Sequence, residues 1–490
     1  MVVGRIKPST LLGVLVATLL LAVVLANSSA PTLAHATSPD ENGARQEISP
    51  PARPRPEIAI PRPAGPLKAA WIYVGPIGDY GWTYAHNRGR EIVDAKYDWL
   101  ETHYIESVPE GKCYSYIEGL IGEGYTLIFT TSFGFMDSTL EAAKNHPDII
   151  FFHCSGYKRW DNMGTYFAEF YQLYYLNGLM AGALTQTGKA GYVAAHPIPE
   201  VIRHINAFAI GFAEVALQRG FTDPKVYVEW LGEWYAPEKA RTSAVDLINM
   251  GCDVLAFTED SPTVIQVCQE YFEQGKPVYS FSHYSPMLQY GPNVTVSGQL
   301  VHWEVIYDDI VTKVHDGTYT TTNLKNVDYW WMLYEGAVEL GCDWGVPINP
   351  QFEDDLRAVT VNDTKTGHGL MSAYDLVMLR LNQMSSAPAH AATVLGGELK
   401  WYKPSVEFDP FMGPLYDQDG NLRVPAGDRL GHDDLWEMMW FVEWVVGEIP
   451  GGEEPGGQGA GVPVEWVAGG VVAVIVIAAV AYWLLRVRRS

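Results

Sequence analysis

The sequence predicts an α/β protein made of two successive doubly wound units with a cleft between them. Three observations carry this reading. From Ala69 to Leu184, apolar β-branched runs alternate with amphipathic stretches. The alternation restarts at Ala190 and continues to His315. Polar and aromatic residues also recur directly after the apolar runs, at the carboxyl ends of the strands those runs predict. Open α/β sheets take their ligands at that end.

In the first unit, strands are expected at 69–74, 103–108, 127–131 and 149–153. Helices are expected at 83–96, 113–122 and 138–145, and a long one at 166–184. In the second unit, strands are expected at 190–195, 225–231, 254–258, 278–282 and 294–297. Helices are expected at 199–219, 237–250, 261–274 and 302–315. Residues 316–408 are less regular, with a helix predicted at 372–384 and a loop at 385–392. Leu415-Tyr416 and Leu422-Arg423-Val424 flank Asp417-Gln418-Asp419-Gly420-Asn421. Its Asp-Gly pair favours a tight hairpin turn, whereas a calcium loop would need further ligands and a distal glutamate. An aromatic-rich stretch, 433–446, closes the globular part.

The ends bear on the compartment. Residues 1–36 carry a basic start (Arg5, Lys7), an apolar core and the small-residue site Ala34-His35-Ala36. That is the pattern of a secretory signal peptide. Residues 37–67 are polar and rich in proline, an extended linker. Residues 448–465 form a glycine-rich tether. Residues 466–485 read WVAGGVVAVIVIAAVAYWLL, with no charge inside. Twenty helical residues span about 30 Å, the thickness of the hydrocarbon core. Arg486, Arg488 and Arg489 follow in the tail 486–490, so the end of the chain is expected in the cytoplasm. The globular part, 68–447, is then expected outside the cell membrane on a single pass. Its first lobe is expected at about 68–188 and its second at about 189–315, the remainder crossing back and ending in the hairpin.

The chain has 490 residues and a formal charge of −24, which repels phosphate backbones and argues against nucleic acid as a partner. Its five cysteines are scattered, with no C-x-x-C pair, and read as small buried hydrophobes. No cofactor or metal site is expected. There is no P-loop, no G-x-G-x-x-G, no G-x-S-x-G elbow and no H-E-x-x-H. Glu259-Asp260 is a carboxylate pair, but neighbours on a strand point to opposite faces. No enzyme is therefore expected.

The positive signal begins in Lys68–Arg90, where an apolar run breaks at Gly75-Pro76 and a loop with Gly78, Asp79 and Gly81 leads to Trp82. Asp79 and Trp82 are the first ligand candidates. Further strand-end groups are Ser132-Phe133, Ser155-Gly156-Tyr157, His196-Pro197, Glu233-Trp234-Tyr235, Asp260 and Ser282-His283-Tyr284. Together they describe a cleft with aromatic faces and a hydrogen-bonding rim, suited to a flat ligand with polar edges.

Several of these stretches resemble one family. Gly75-Pro76-Ile77-Gly78-Asp79-Tyr80-Gly81-Trp82 is similar to the opening of the basic membrane protein group of ABC-transporter substrate-binding proteins. So are Glu106-Ser107-Val108-Pro109-Glu110-Gly111, Thr130-Thr131-Ser132-Phe133-Gly134-Phe135, and His196-Pro197-Ile198-Pro199-Glu200-Val201-Ile202-Arg203. Pro410-Phe411-Met412-Gly413-Pro414 resembles the family's terminal hairpin region. The resemblance implies a type 1 periplasmic-binding-protein fold, two Rossmann-like lobes joined by three crossovers around a ligand cleft. It also implies a purine base or nucleoside as ligand, with ABC permease and ATPase subunits as partners. It implies Trp82 and Trp234 as the faces that sandwich the base, with Asp79, Phe133, Asp260 and His283 at its edge. The loop Ser282-His283-Tyr284-Ser285-Pro286 departs from the family's G-x-D-S-D type, and no lysine stands in 296–304. Groups that would hold a ribose are therefore missing, which favours a bare base such as adenine. The alternatives are a ligand-binding ectodomain of a sensor system and, third, a purine-processing enzyme.

Overall fold

The computed structural model describes residues 65–451. The signal peptide, nearly all of the proline-rich linker, most of the tether, the apolar span 466–485 and the basic tail lie outside the described residues. Among the described residues no helix is long and apolar enough to cross a membrane.

The chain enters through β1 (Leu67–Ile72), whose register sets Trp71 beside Phe129. The two rings stack at 4.4 Å, which ties β1 to its neighbour. α1 (Trp82–Lys96), β2 (Leu100–Ile105), α2 (Cys113–Gly122), β3 (Leu127–Thr130), α3 (Met136–Asn145) and β4 (Ile150–Cys154) follow in the expected alternation. The expected helix 166–184 divides. Its first residues belong to a strand, β5 (Met163–Ala168), and only α4 (Tyr171–Leu184) is helical. β5 is buried along its whole length between two parallel neighbours. A strand buried on both faces lacks alternation and reads like a buried helix.

The second unit runs β6 (Lys189–Ala194), α5 (Pro199–Gln218), β7 (Lys225–Trp230), α6 (Pro237–Asn249), β8 (Val254–Phe257), α7 (Thr263–Glu273), β9 (Tyr279–Tyr284) and β10 (Thr295–Val301). Then come α8 (Trp303–His315), β11 (Asp328–Trp331) and β12 (Val338–Leu340). The irregular region holds α9 (Glu353–Ala358), the hairpin of β13 (Thr360–Asp363) with β14 (Gly369–Ser372), and α10 (Ala373–Ser385). A second hairpin, β15 (Ala391–Leu395) with β16 (Glu398–Tyr402), falls partly in the expected loop. The Asp-Gly hairpin forms as β17 (Leu415–Tyr416) and β18 (Leu422–Val424). α11 (His432–Trp436) and β19 (Val445–Val446) end the described fold.

Two sheets organise these elements. The first has the order β11-β5-β4-β3-β1-β2, parallel throughout. The second has the order β12-β10-β9-β8-β6-β7-β19, parallel except for its β12 edge. The chain passes between them after β5, after β10 and after β11, so each sheet carries strands from distant parts of the sequence. These passages move the expected lobe boundaries at 188 and 315. α4 packs on α5 of the second lobe, and α8 returns to pack on α1 of the first. The reason is steric fit. Gly178 and Gly182 of α4 and Gly211 of α5 let the two helix backbones touch, and a Cβ at Gly178 would run into the Phe208 carbonyl. Trp303 and Tyr307 of α8 fill the space beside His86 and Trp71. The five cysteines are unpaired and buried.

At the first passage sits Glu169, fully buried. Its carboxylate accepts from Arg203 Nε at 2.8 Å and from Trp330 Nε1 at 3.1 Å, and His204 Nε2 lies 2.9 Å away. Burial alone would raise its pKa, but Arg203 and His204 outweigh burial and hold it well below the usual carboxylate range. Removing the carboxylate would strand the Arg203 guanidinium, which is itself wholly buried. Glu169→Ala is expected to cost about 3–5 kcal/mol of unfolding free energy, read by urea denaturation. A loss under about 1 kcal/mol would show that the pair is not a main support of this passage between the sheets.

Candidate functional site

The loops that leave the carboxyl ends of the parallel strands face each other between the two sheets. In the first lobe, Gly75–Gly81 wraps around Asp79. The Asp79 carboxylate accepts from the backbone amides of Gly81 (2.9 Å), Thr83 (3.0 Å) and Tyr84 (2.9 Å). These are amides that the first turn of α1 leaves without intrahelical partners. Trp82 then enters the core. Its Nε1 donates to the Thr131 carbonyl at 2.6 Å, and its ring lies edge-on to Trp303 and Tyr284. Ser132 donates to Glu110 at 2.7 Å, and Phe133 opens a short helical turn, half-buried.

In the second lobe, Trp234 is half-buried after β7 and packs on His196. Its carbonyl accepts from the Asp260 amide at 2.9 Å, which joins the loops after β7 and β8. Glu259 accepts from the amides of Ala236 and Ser261 and from the Ser261 hydroxyl. Tyr284 ends β9 in the left-handed region, φ 62°, and packs on Trp82 across the cleft.

These loops enclose a narrow cavity of about 20 Å³. Val74, Trp82, Ser132, Phe133 and Ser155 form the first-lobe wall, and Glu200, Trp234, Asp260 and Tyr284 the second. The lobes also touch directly at the mouth. Ser285 Oγ donates to the Tyr80 carbonyl. Gly81 lies against the Asp260 backbone with no room for a side chain.

The electrostatics are one-sided. Burial pushes Glu200 up to about 7, although Arg203 pulls the other way. Asp260 is raised well above the usual range by burial first, then by the charges of Asp79, Glu259 and Glu200. Burial likewise raises Asp79 and Glu259. The cavity wall contains no lysine or arginine.

A family model described as "ABC transporter substrate-binding protein PnrA-like" matches residues 67–365. The chain belongs to this family. A purine-binding protein of Brucella abortus is 32% identical over 386 residues, covering 78% of this chain and 94% of the relative. A putative ABC transporter glucose-binding protein of Haloferax volcanii is 34% identical over 292 residues, covering 60% of this chain and 71% of the relative. An ABC transporter solute-binding protein of Aeropyrum pernix K1 has the same fold, with a TM-score of 0.55 at 17% identity over 66% of this chain and 92% of that one. The PnrA-like family consists of substrate-binding proteins, not enzymes, and such proteins bind small molecules and work with ABC transporters. The domain's place is accordingly extracellular or periplasmic.

For this PnrA-like chain, the cavity brings together Trp82, Ser132, Phe133, Trp234 and Asp260 among the expected residues. Asp79, Tyr157 and His283 are not on its wall. Asp79 is occupied by the three amides of α1. Tyr157 is 49% exposed, and only its backbone amide is engaged, on Met136. His283 points into the core, where Nδ1 meets the Tyr174 hydroxyl at 3.1 Å, and burial keeps it neutral. Trp82 reaches the cavity while its rim is held by three other groups, so Phe133 is the freer aromatic of the first lobe. Glu200 was not legible from strand ends, because it stands in the first turn of α5. Its signal was the acid directly after Pro199 at a helix start.

Asp79→Ala removes the acceptor of three helix-start amides and is expected to cost about 1–2 kcal/mol in urea unfolding. Asp79→Asn keeps one oxygen and is expected to cost less. Equal, negligible losses would show that the loop does not depend on this cap.

Proposed function

We propose that this protein is the exported, membrane-anchored substrate-binding component of an ABC importer, and that its ligand is a purine base or a similar flat heterocycle. The observation that carries this is the aromatic-walled cavity between the lobes, with Phe133 on one side and Trp234 on the other. An aromatic heterocycle gains most between two such faces, and its polar edge meets Ser132, Glu200 and Asp260. Trp82 forms the inner end of the slot rather than a free stacking face. The purine-binding relative supports the ligand class. Closure of the lobes holds the ligand, and the Gly81–Asp260 and Tyr80–Ser285 contacts belong to the closed state. The signal peptide of 1–36 and the apolar span of 466–485 with its arginine tail support export and anchoring.

A monosaccharide is the second reading. Aromatic faces with carboxylate acceptors also suit the apolar face and hydroxyl groups of a sugar ring, and the Haloferax relative is named for glucose.

Thermal unfolding with adenine, hypoxanthine, adenosine and glucose separates the two. A ligand at a hundred times its dissociation constant stabilises by about 2.7 kcal/mol. Adenine or hypoxanthine is expected to raise the melting temperature, and glucose is not. A shift with glucose alone would replace the first reading by the second. Trp234→Ala and Phe133→Ala are each expected to weaken base binding by about 1–3 kcal/mol in calorimetry, the worth of one stacked face. Unchanged affinity in both variants would remove the stacking role.

A further inference from the structure

Four carboxylates crowd the cleft, and they are not equivalent. Asp79 gives its oxygens to three amides of α1. Glu259 gives its own to the Ala236 and Ser261 amides and the Ser261 hydroxyl. Glu200 and Asp260 are 4% and 3% exposed, and both form part of the cavity wall. They are the two acids left to meet a ligand. The cation that acts on Glu200 is Arg203, which is already committed to Glu169.

We propose that Glu200, together with Asp260, is the specificity determinant of the cleft: it selects a neutral solute that presents N–H or O–H donors and rejects anionic relatives of the same shape. This rests on reading the cavity as the ligand site.

An anion in this cavity would meet the ionised Glu200, with no cationic side chain on the wall to compensate it. Phosphorylated or acidic heterocycles would be desolvated there without compensation. A donor-bearing edge meets the opposite situation: the Ser155 hydroxyl and the Trp82 amide leave Glu200 and Asp260 with acceptor capacity, and an ionised carboxylate there gains a charge-assisted hydrogen bond. Ligand binding is also linked to protons. The groups around Glu200 are Asp260 from the cleft loops, Arg203 and Glu169 from below, the Cys154 thiol, and the Ser155, Tyr174, Tyr192 and Tyr284 hydroxyls. Burial places the Glu200 midpoint at about 7. Glu200 accepts a donor most strongly when ionised, so affinity is fullest above that midpoint. It falls as pH drops through the midpoint, by up to about tenfold per unit.

The test is titration calorimetry on the full-length chain at about pH 8 and about pH 6, with adenine, which stays neutral over that range, and with urate, which is mostly an anion throughout it. Adenine binding is expected to weaken about tenfold between the two. Glu200→Gln is expected to bind adenine more weakly at the higher pH and to lose most of the pH dependence. Urate is expected not to bind wild type and to gain affinity in Glu200→Gln/Asp260→Asn. Urate binding wild type as tightly as adenine would overturn the proposal, as would a Glu200→Gln variant with unaltered affinity and slope. Melting curves confirm that the variants fold. If glucose binds and no purine does, the purine reading fails, and the same pH series and variants with glucose test Glu200 independently. If neither a base nor a sugar binds at either pH, both readings of the cavity fall.

Discussion

One buried carboxylate carries the connection between the lobes. Glu169 lies where the chain first leaves the first sheet, and it binds three residues from two other parts of the molecule. Arg203 and His204 belong to α5 of the second lobe, and Trp330 to β11, the last strand of the first. Its amide adds a bond to the Trp331 carbonyl at 2.8 Å. Two passages of the chain and the central helix of the second lobe therefore meet at a single charge. The charge survives burial because guanidinium, imidazole and indole satisfy it together. Arg203 also lies against the rings of Trp330 and Trp436, so the late part of the chain, including α11, closes over the same point.

From that support the cleft loops extend into less comfortable backbone. Tyr80, Ser155 and Tyr284 have φ values of 63°, 65° and 62°, in a region that side chains disfavour. All three lie at the cleft, and neighbouring contacts hold them there. Tyr80 stacks on Tyr84 and meets Tyr290 edge-on, while Tyr284 rests on His283 and Trp82. Strained residues held by packing are a common feature of binding sites. Here they turn the strand ends so that two lobes can meet over a narrow space. Gly81 has a matching role, since its bare Cα is what allows the approach to Asp260.

The cleft then combines two chemistries that a purine-type solute needs. Aromatic faces come from opposite lobes, and the carboxyl acceptors on the wall come from the second lobe alone. This division suits a protein that first captures a ring on one lobe and completes its contacts on closure. The excess of acid at the site follows the whole chain, whose formal charge is −24, but the cavity shows it at its sharpest because no cation shares the wall.

The alternation of apolar runs and amphipathic stretches was enough to determine most elements, the two-sheet architecture and the end of the sheets at which a cleft forms. These follow from local periodicity and the direction of parallel strands. It also determined that Trp234, Phe133 and Asp260 stand at strand ends. Tertiary structure alone decided that β5 is a strand, because only its two neighbours distinguish a buried strand from a buried helix. It decided that α4 and α8 belong to the lobes opposite to the expected ones, because glycine-mediated helix contact and the fit of Trp303 are not visible in sequence order. Above all it decided which polar side chains are free. Asp79, Asp260 and Glu200 are the same kind of group on paper, yet Asp79 is spent on the amides of α1, while Glu200 and Asp260 face the cavity. The number of hydrogen bonds a carboxylate has already made is a property of its surroundings in space, and no spacing along the chain contains it.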